Sequence, residues 1–354
     1  MPVEVRAYRD GDETAILDLF ARSFPHAPRS IEHFDWKYRG NPFGNRRISL
    51  AFDDEFLGVP RGPRSSPEEH PRNSEELRGT PRNSARLIGH YSGYPVPFRA
   101  FGRDVVAHQI GDTMTDVAVR HIGRGPTSIL GRTALHFYEH FCERQVAFNF
   151  GFNVANIQKF SLRFLRSDRV EPVTYRVAAA LPKITRAERW LRGYSLELVR
   201  DTNREWDELF ERVAPAYGFC VKRNAAWVRW RYLQCPDVPY IVIAIRKWRH
   251  LVGWIVFRVR EDRFTWGDAL FDPDFPDAPE VVLRHTVPQH PVTRIEAWFP
   301  PRPRWFDAIL QSLGFETQPE PQDLSLMCVP FTWTDVVARM REELYYTWGD
   351  GDLF

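Results

Sequence analysis

The sequence repeats itself in outline, and this repetition constrains the fold more than any other feature. Trp36-Lys37-Tyr38 is separated from Pro42 by three residues, and Trp230-Arg231-Tyr232 is separated from Pro236 by three as well. Three further pairs keep the same order along the chain: Arg9-Asp10 with Arg200-Asp201, Leu87–His90 with Leu251–Trp254, and Gly111-Asp112 with Gly267-Asp268. A shared order of matching segments indicates duplication of one structural unit. The competing interpretation is a coincidence of common tripeptides.

The length of the chain, 354 residues, fits two domains of ordinary size. Hydrophobic residues make up 43% of the chain and aromatic residues 14%, which is enough to fill sizeable cores and excludes wholesale disorder. The segment 182–193 has the character of a connector. We therefore predict a mixed α/β (α+β) chain with domains at 1–182 and 194–354. Each domain is expected to be a mostly antiparallel central sheet flanked by helices.

One segment, 58–84, differs in composition from everything around it. Val59 and Leu77 are its only large apolar residues, whereas five of its residues are proline and nine are charged. The tetrad Pro-Arg-Asn-Ser occurs twice, at 71–74 and 81–84. Such a segment cannot bury enough apolar surface to offset the entropy lost on ordering. We predict a mobile insertion between two strands.

Charge and composition exclude several classes of protein. The 48 basic and 46 acidic residues leave a formal net charge of +2, whereas binding nucleic acid through bulk charge needs a basic excess. No apolar run approaches the ~18 residues of a membrane span, and the first residues lack the pattern of a signal peptide. The four cysteines form no Cys-x-x-Cys pair, which favours free thiols in a reducing compartment. We expect a cytoplasmic protein that binds neither nucleic acid nor membrane.

A glycine-rich turn between a predicted strand and a predicted helix is the most informative local feature. Residues 113–119 have strand character after a turn at Gly111-Asp112, the glycine-rich turn covers 122–126, and a long helix begins at Thr127 or Ser128. Glycines let several backbone N–H groups converge on an anion, and a helix start adds partial positive charge. The segment therefore predicts a phosphate or pyrophosphate site. Its context fits neither a Rossmann fingerprint nor a P-loop.

The pattern Val117-x-Val119-x-His121-Ile122-Gly123-Arg124-Gly125-Pro126-Thr127-Ser128 resembles the acetyl-CoA segment of the GNAT superfamily, the GCN5-related N-acetyltransferases. In that family a strand leads into (Q/R)xxGx(G/A) and a helix; the strand backbone pairs with pantetheine, and the loop amides hold the pyrophosphate. The order of elements over most of residues 3–181 fits as well. The resemblance implies two GNAT-like units and acetyl-CoA as co-substrate. The implied cofactor-binding residues are Thr115, Asp116 and Val117 along pantetheine, and Ile122, Gly123, Arg124, Gly125, Thr127 and Ser128 around the phosphates.

The loop departs from the family pattern, and two registers stay open. In the register that best matches the flanking elements, the Gln/Arg position is Ile122, the final Gly/Ala position is Thr127, and Pro126 supplies no N–H. In the shifted register, Arg120-x-x-Gly123-x-Gly125 satisfies the motif but lies two residues closer to the strand. The second half has no comparable loop, because residues 267–273 lack Gly-x-Gly and include several acidic residues. We expect a degenerate unit there.

The resemblance also directs the search for proton-transfer groups. Family members often carry an Asn after the next strand and a Tyr seven residues later. Here Asn153 is followed at that distance by Phe160, and Asn156 is an alternative anchor. An amine must lose a proton before it attacks a thioester, and a carboxylate in the cleft can accept this proton directly or through water. Asp112 and Asp116 lie on the strand before the loop, and Asp112 is the first candidate for this base; the alternative is an aspartate that serves only the turn after Gly111. Ser161 is predicted to hydrogen-bond the leaving thiolate.

These features predict an N-acyltransferase that moves an acetyl group from acetyl-CoA to an amine of a small molecule or a peptide. The alternative is a non-catalytic GNAT-like binding or scaffold protein with a decayed CoA loop, and a third interpretation is a transferase with a longer acyl donor. No metal is expected: His136-x-x-Glu139-His140 spells an inverted zincin motif, but its helix is crowded with aromatic residues. The run Tyr345–Trp348 can lie across a cleft or at the contact of a homodimer.

Overall fold

The computed structural model describes residues 3–26, 29–53, 85–352 and 354. The predicted insertion at 58–84 lies outside this part of the chain. The strands are β1 Val3–Ala7, β2 Arg47–Asp53, β3 Arg86–Ala100, β4 Arg103–Thr115, β5 Phe148–Asn153, β6 Asp168–Pro172, β7 Tyr175–Ala179, β8 Tyr194–Leu198, β9 Phe219–Val221, β10 Ile241–Lys247, β11 His250–Arg260, β12 Arg263–Phe271, β13 Arg294–Trp298, β14 Glu316–Gln318, β15 Ser325–Pro330 and β16 Leu344–Tyr345. The helices are α1 Glu13–Ser23, α2 Ile31–Phe34, α3 Ile129–Phe141, α4 Ala155–Phe164, α5 Arg186–Leu191, α6 Arg204–Tyr217, α7 Ala225–Val228, α8 Ala278–Thr286, α9 Arg304–Ser312 and α10 Val336–Glu343.

The described strands form two sheets. The first has the order β1-β2-β3-β4-β5-β15-β6, with β9 attached to β3 and β16 attached to β9. The second has the order β14-β7-β13-β12-β11-β10-β8. Neighbouring strands are antiparallel except in three pairs: β4 with β5, β12 with β13, and β9 with β16. The predicted class, mixed α/β with mostly antiparallel sheets, is confirmed.

The sheets exchange strands across the predicted domain boundary. β7 follows β6 after two residues but pairs with β13 and β14 in the second sheet. β15 returns from the far part of the chain and lies between β5 and β6 in the first sheet. One hydrophobic core runs through both sheets, from Phe98 and Phe148 in the first to Trp266 and Phe299 beside the second. The boundary predicted at 182–194 therefore divides the sequence into two segments, and both segments contribute strands to both sheets.

The duplication read from the sequence appears again in the arrangement of elements. β2, β3, β4 and β5 stand side by side with the last pair parallel, and β10, β11, β12 and β13 repeat this arrangement. α3 connects β4 to β5, and α8 connects β12 to β13. The two matching Trp-containing segments each form one turn of π-helix, Asp35–Arg39 and Arg229–Leu233. Equivalent sequence segments thus occupy equivalent places.

The predicted turn at Gly111-Asp112 is wrong, because β4 continues through these residues as a single strand. Between two matched positions of the β3–β4 pair, Asp112 and Thr113 oppose the single residue Tyr91. This two-against-one arrangement is a β-bulge, and Asp112 has a φ of 50° there. The bulge redirects β4 and sets Asp112 apart from the regular alternation of the strand.

Candidate functional site

β4 and β5 open a cleft in the first sheet. They pair in parallel only at His108–Asn149 and Gln109–Phe150, and from Ile110 onward no described strand pairs with this edge of β4. About 280 Å³ of empty space lies there, lined by residues of β3, β4, β5, β15, α3 and α4. The bulge increases the local twist of β4 and so favours its separation from β5. The free N–H and C=O groups of such an edge can pair with an extended ligand.

The glycine-rich loop before α3 folds back onto the start of that helix. Gly123 and Gly125 have φ values of 71° and 55°, in the left-handed region that favours glycine. A β-carbon on Gly123 would lie 2.3 Å from the carbonyl oxygen of Thr127. Ser128 caps α3, its Oγ accepting the Gly131 N–H at 3.1 Å. The loop therefore needs glycine at both positions to reach the helix start.

Most of the predicted phosphate-binding amides are engaged within the loop itself. Four of them donate to acceptors in the loop or in the turn before it: Ile122, Arg124, Thr127 and Ser128. The amides of Gly123 and Gly125 have no acceptor among the described residues. The side chain of Arg124, between them in sequence, is exposed, whereas the ring of Phe164 covers one side of Gly125. Two amides and one guanidinium can therefore hold an anion here.

The strand predicted to reach residue 119 ends earlier, at Thr115. Asp116 caps a 3₁₀ turn that begins at Val117, its carboxylate accepting the Ala118 N–H at 3.0 Å and pairing with Arg86 at 2.6 Å. Burial opposes ionisation of Asp116, but the hydrogen bonds from Ala118 and Arg86 outweigh it and lower its pKa. Of the three residues predicted along pantetheine, only Thr115 belongs to β4, and the side chain of Asp116 has a structural role.

Ser161 and Asn153 both line the cleft, and the Asn153 Nδ2 donates to the Ser161 Oγ at 3.4 Å. Asn156 is exposed on α4 and is not part of this lining. Two tyrosines that the sequence analysis did not single out also line the cleft: the hydroxyl oxygens of Tyr91 and Tyr138 lie 3.1 Å apart. Burial raises the pKa of both phenols, so they stay protonated and can donate a hydrogen bond.

Asp112 is a partner in a largely buried ion pair. Its Oδ2 accepts from the Lys37 Nζ at 2.8 Å and from the Tyr38 hydroxyl at 2.8 Å, and its backbone oxygen lies 2.7 Å from the His90 Nδ1. Burial opposes ionisation of this carboxyl, but the Lys37 ammonium outweighs burial and holds the pKa of Asp112 well below its usual range. A carboxylate in this state is a weak proton acceptor.

A second carboxylate, that of Asp352, reaches the same lysine. Its Oδ2 accepts from the Lys37 Nζ at 3.1 Å, and its Oδ1 accepts from the Tyr94 hydroxyl at 3.0 Å and the Gln109 Nε2 at 3.2 Å. The carboxylate lies against β4 at Gly111, where a β-carbon would stand 1.6 Å from its Oδ2. The sequence analysis missed Asp352. The repeated Gly111-Asp112 pair was only an indirect indication, because it marks the place on β4 that Asp352 contacts but does not identify Asp352.

A cavity with about 410 Å³ of empty space lies on the face of β4 opposite the cleft. Gln109 binds Asp352 on one face, and the next residue, Ile110, lines the cleft on the other, as expected for alternating side chains of a strand. Residues of both halves line the cavity, among them Trp36, Lys37, Tyr94, Trp230, Arg231, Tyr240 and Asp352. The side chain of Asp352 is 22% exposed. Cleft and cavity are thus separated by β4 alone, with Asp352 on the cavity side.

The equivalent place in the second half is filled. The ring of Phe354 lies against β12 at Gly267, where a β-carbon would stand 1.7 Å from a ring carbon. Asp268, the counterpart of Asp112, accepts from the Tyr232 hydroxyl and pairs with Arg223, and all three side chains are buried. A ring and a closed ion pair therefore occupy this position.

The part of the chain that the structure describes contains no group of three or more His, Cys, Asp or Glu side chains that could hold a metal ion. In the segment with the inverted zincin spacing, the His136 Nδ1 lies 2.8 Å from the Ser49 hydroxyl, and the ring stacks on His140. Over the same residues, no helix combines the length and the apolar character needed to cross a membrane.

Neither a protein-family model nor a curated protein matches the sequence. Solved structures match the fold. An Enterococcus faecalis protein of unknown function, described as a "Probable N-Acyltransferase", aligns with a TM-score of 0.65 at 12% identity over 94% of this chain and 74% of its own. A GCN5-related N-acetyltransferase from Anabaena variabilis aligns with a TM-score of 0.62 at 11% identity, over 92% and 72% of the two chains. An N-myristoyltransferase from Saccharomyces cerevisiae with bound myristoyl-CoA gives 0.55 at 10% identity, over 93% and 80%.

These similarities concern the fold, because the identities are low. The chain has the GNAT fold over most of its length, as the resemblance of the glycine-rich segment implied.

Proposed function

We propose that the chain is an N-acyltransferase that takes an acetyl group from acetyl-CoA and transfers it to an amine. One observation carries the proposal: in a GNAT fold, β4 leaves its edge open toward β5, and it leads into a loop whose Gly123 and Gly125 amides have no acceptor in the described part of the chain. An extended pantetheine arm fits the open strand edge, and an anionic pyrophosphate fits the loop beside the start of α3. A solved structure of similar fold holds an acyl-CoA, which supports this class of donor.

The packing around the cleft supports a short acyl group. Its lining includes four buried side chains: those of Tyr91 and Tyr138, and those of Met327 and Val329 on β15. A long acyl chain would have to displace these packed side chains, which costs free energy because protein interiors are close-packed. An acetyl group needs no such rearrangement.

The reaction proceeds by direct attack of the amine. The nitrogen approaches from the cavity side through the gap where β4 separates from β5 beyond Ile110, and it bonds to the thioester carbonyl carbon. The carbon–sulfur bond then breaks to release the CoA thiolate. The nitrogen becomes cationic as it attacks, so its proton can pass to a carboxylate directly or through one water. Asp352 also accepts from Lys37, but its side chain is more exposed than that of Asp112, 22% against 11%, and it lines the cavity, so we propose it as the proton acceptor. Asp112, the base predicted from the sequence, has its lowered pKa beside Lys37, and we assign it the role of holding that lysine.

Hydroxyl groups in the cleft replace the tyrosine that the family pattern would place at Phe160. Ser161 and Tyr138 both line the cleft, and a protonated hydroxyl can donate to the sulfur as negative charge develops on it. The predicted role of Ser161 therefore stays in the proposal, with Tyr138 added. The released thiolate then takes its proton from one of these groups or from water.

The cavity supports an amine acceptor that is a small molecule or a peptide. Its walls combine aromatic rings with the partly exposed carboxylate of Asp352, and a carboxylate attracts an ammonium group. The four cysteines are free, and three of them are buried, which supports the cytoplasmic location expected from the sequence.

A non-catalytic CoA-binding or scaffold protein is the second candidate function. Two observations favour it: four of the loop amides are engaged within the protein, and Phe160 stands where the family often has a tyrosine. Such a protein would keep the fold and would not turn over acetyl-CoA, with or without CoA bound at the altered loop.

Calorimetric titration and thiol release separate these candidates. Titration with CoA and acetyl-CoA should show binding, and thermal unfolding should shift upward with ligand concentration. A dye assay for free thiol, with acetyl-CoA and tyramine, spermidine or glycylglycine as amine probes, should then show amine-dependent release. No binding at millimolar CoA would contradict the transferase and favour a scaffold with a decayed loop, whereas CoA binding without amine-dependent release would favour a non-catalytic CoA-binding protein.

A further inference from the structure

We propose that the second half of the chain positions the proton acceptor, its own Asp352, at the site on β4 of the first half. Arg231 and Arg223 clamp a strap, residues 347–352, and thereby hold Asp352 against β4. This inference rests on the proposed function, since it gives the second half a part in acyl transfer. The two arginines are positioning residues, because they act through Asp352.

Arg231 grips the backbone of the strap. The residue is 4% exposed. Its Nε donates to the Gly349 carbonyl at 3.1 Å, and its Nη2 donates to the Gly351 carbonyl at 2.9 Å. The fixed fork of a guanidinium suits two acceptors held at a set separation. These two carbonyls flank Asp350, and the second belongs to the residue immediately before Asp352. Arg231 therefore sets the direction in which the Asp352 side chain leaves the strap.

Arg223 holds the strap at its other end. This fully buried side chain donates from Nη2 to the Asp350 Oδ2 at 2.6 Å and to the Thr347 Oγ1 at 3.1 Å, and its Nε donates to Asp268 at 2.7 Å. The Thr347 N–H also donates to the Asp350 Oδ2 at 2.8 Å, which closes the strap into a compact turn. Asp268 lies on β12, so the strap is tied to the second sheet.

The repeat accounts for the basic residues that bind the strap, Lys37 and Arg231. Arg231 and Lys37 occupy the same position in the two matching segments. Lys37 binds the side chain of Asp352 from the first half, and Arg231 binds the backbone beside it from the second half. The two copies of one unit therefore hold the same strap from opposite sides. The equivalent site in the second half is filled, but the second half positions the carboxylate of Asp352 at the site of the first half.

The strap has little room to move. Trp348 stacks on Trp298 with ring centroids 4.8 Å apart and planes 6° apart. A β-carbon on Gly349 would lie 2.1 Å from the Tyr232 hydroxyl oxygen, and one on Gly351 would lie 3.1 Å from the ring of Phe152. The aromatic run at 345–348 thus packs inside the chain, and these contacts together with the two arginines fix the position of the strap.

Amide hydrogen exchange tests the clamp without any substrate. In Arg231→Gln, exchange over 347–352 should be faster by about tenfold or more, because two hydrogen bonds from a charged donor are lost. Arg231→Lys keeps the charge and can reach one carbonyl, so it should restore part of the protection and carries the test if the glutamine variant does not fold. Arg212→Gln is the matched control, since Arg212 also donates to a carbonyl, that of Leu251, but away from the strap. Unchanged exchange in both Arg231 variants would overturn the proposal.

A double-mutant cycle tests the link to Asp352. With acetyl-CoA and the amine probes named above, Arg231→Gln should lower kcat for thiol release about tenfold and leave CoA affinity unchanged. Asp352→Asn should lower kcat at least as much, and the double variant should match Asp352→Asn, because residues that act through one group are non-additive. Losses that multiply would overturn the positioning role. Absence of thiol release by the unmodified protein would contradict the proposed function, while the exchange result would still decide on the clamp.

Discussion

The indole nitrogens of Trp36 and Trp230 each donate to the other residue's backbone carbonyl, at 2.6 and 2.9 Å. The two rings stack with centroids 5.6 Å apart and planes 25° apart. These residues begin the matching segments of the repeat, so the reciprocal pair marks an approximate two-fold relation between the halves. Both residues line the cavity that holds Asp352. The duplication therefore builds the junction at which the candidate site lies.

Replacing Trp36 by phenylalanine should weaken this junction. Trp36→Phe removes the donor to the Trp230 carbonyl, and a buried acceptor without its partner costs about 1–3 kcal/mol. We expect a drop of that size in the free energy of unfolding measured by urea titration. Trp248→Phe is the control, because Trp248 is 72% exposed and should change stability by less than about 0.5 kcal/mol. Equal stability of the two variants would show that the reciprocal pair does not hold the halves together.

Gly123→Ala should impair CoA binding more than it impairs folding. The left-handed backbone at Gly123 costs a non-glycine residue roughly 1–2 kcal/mol, and the new β-carbon would meet the Thr127 carbonyl at 2.3 Å. The loop must therefore shift, and CoA affinity should fall about tenfold, equivalent to about 1.4 kcal/mol. Gly314→Ala shares the left-handed backbone, with φ of 81°, but has open space around it. Calorimetry with CoA should find normal affinity for Gly314→Ala; a similar loss in both variants would contradict the loop assignment.

Substitution of Ser161 should separate binding from turnover. Ser161→Leu places a larger side chain in the cleft but leaves the glycine-rich loop intact, so CoA should still bind while amine-dependent thiol release falls by about a hundredfold or more. Ser161→Ala removes only a hydroxyl and should lower the rate by about tenfold or less. Full activity of the leucine variant would show that the acyl group does not occupy this cleft.

Asp350 should make stability depend on pH. Burial raises its pKa to about 6, with Asp268 adding to the rise and Arg223 opposing it. In the unfolded chain the pKa of this carboxyl is about 3.9, so between about pH 4 and 6 the folded protein holds more protons than the unfolded chain. The free energy of unfolding therefore falls as pH rises through this window. Asp350→Asn removes the titration. Relative to the unmodified protein, the variant should gain stability from pH 4.5 to pH 7 in urea unfolding; a constant difference would contradict the raised pKa.

Features determined by local backbone geometry were predictable from the sequence. Gly123 and Gly125 do adopt left-handed conformations, and Ser128 does cap the following helix, because both requirements are encoded within a few residues. The bulge at Asp112 was mistaken for a turn. Gly-Asp favours both structures, and only pairing with β3 distinguishes them. The hydrogen bond from the Arg124 amide to the Thr127 hydroxyl could not be predicted either, since it depends on how tightly the loop closes.

By itself the sequence indicated a repeated α/β unit with a glycine-rich turn between a strand and a helix in its first copy. Periodicity, turn residues and repeated segments express these properties locally. Only the tertiary structure decided that the strands of the two units interleave, and that Asp352 meets Lys37 across 315 residues of chain. Such a contact follows from how two sheets pack and which side chains fill the space between them. Neither residue carries a local pattern that specifies its partner.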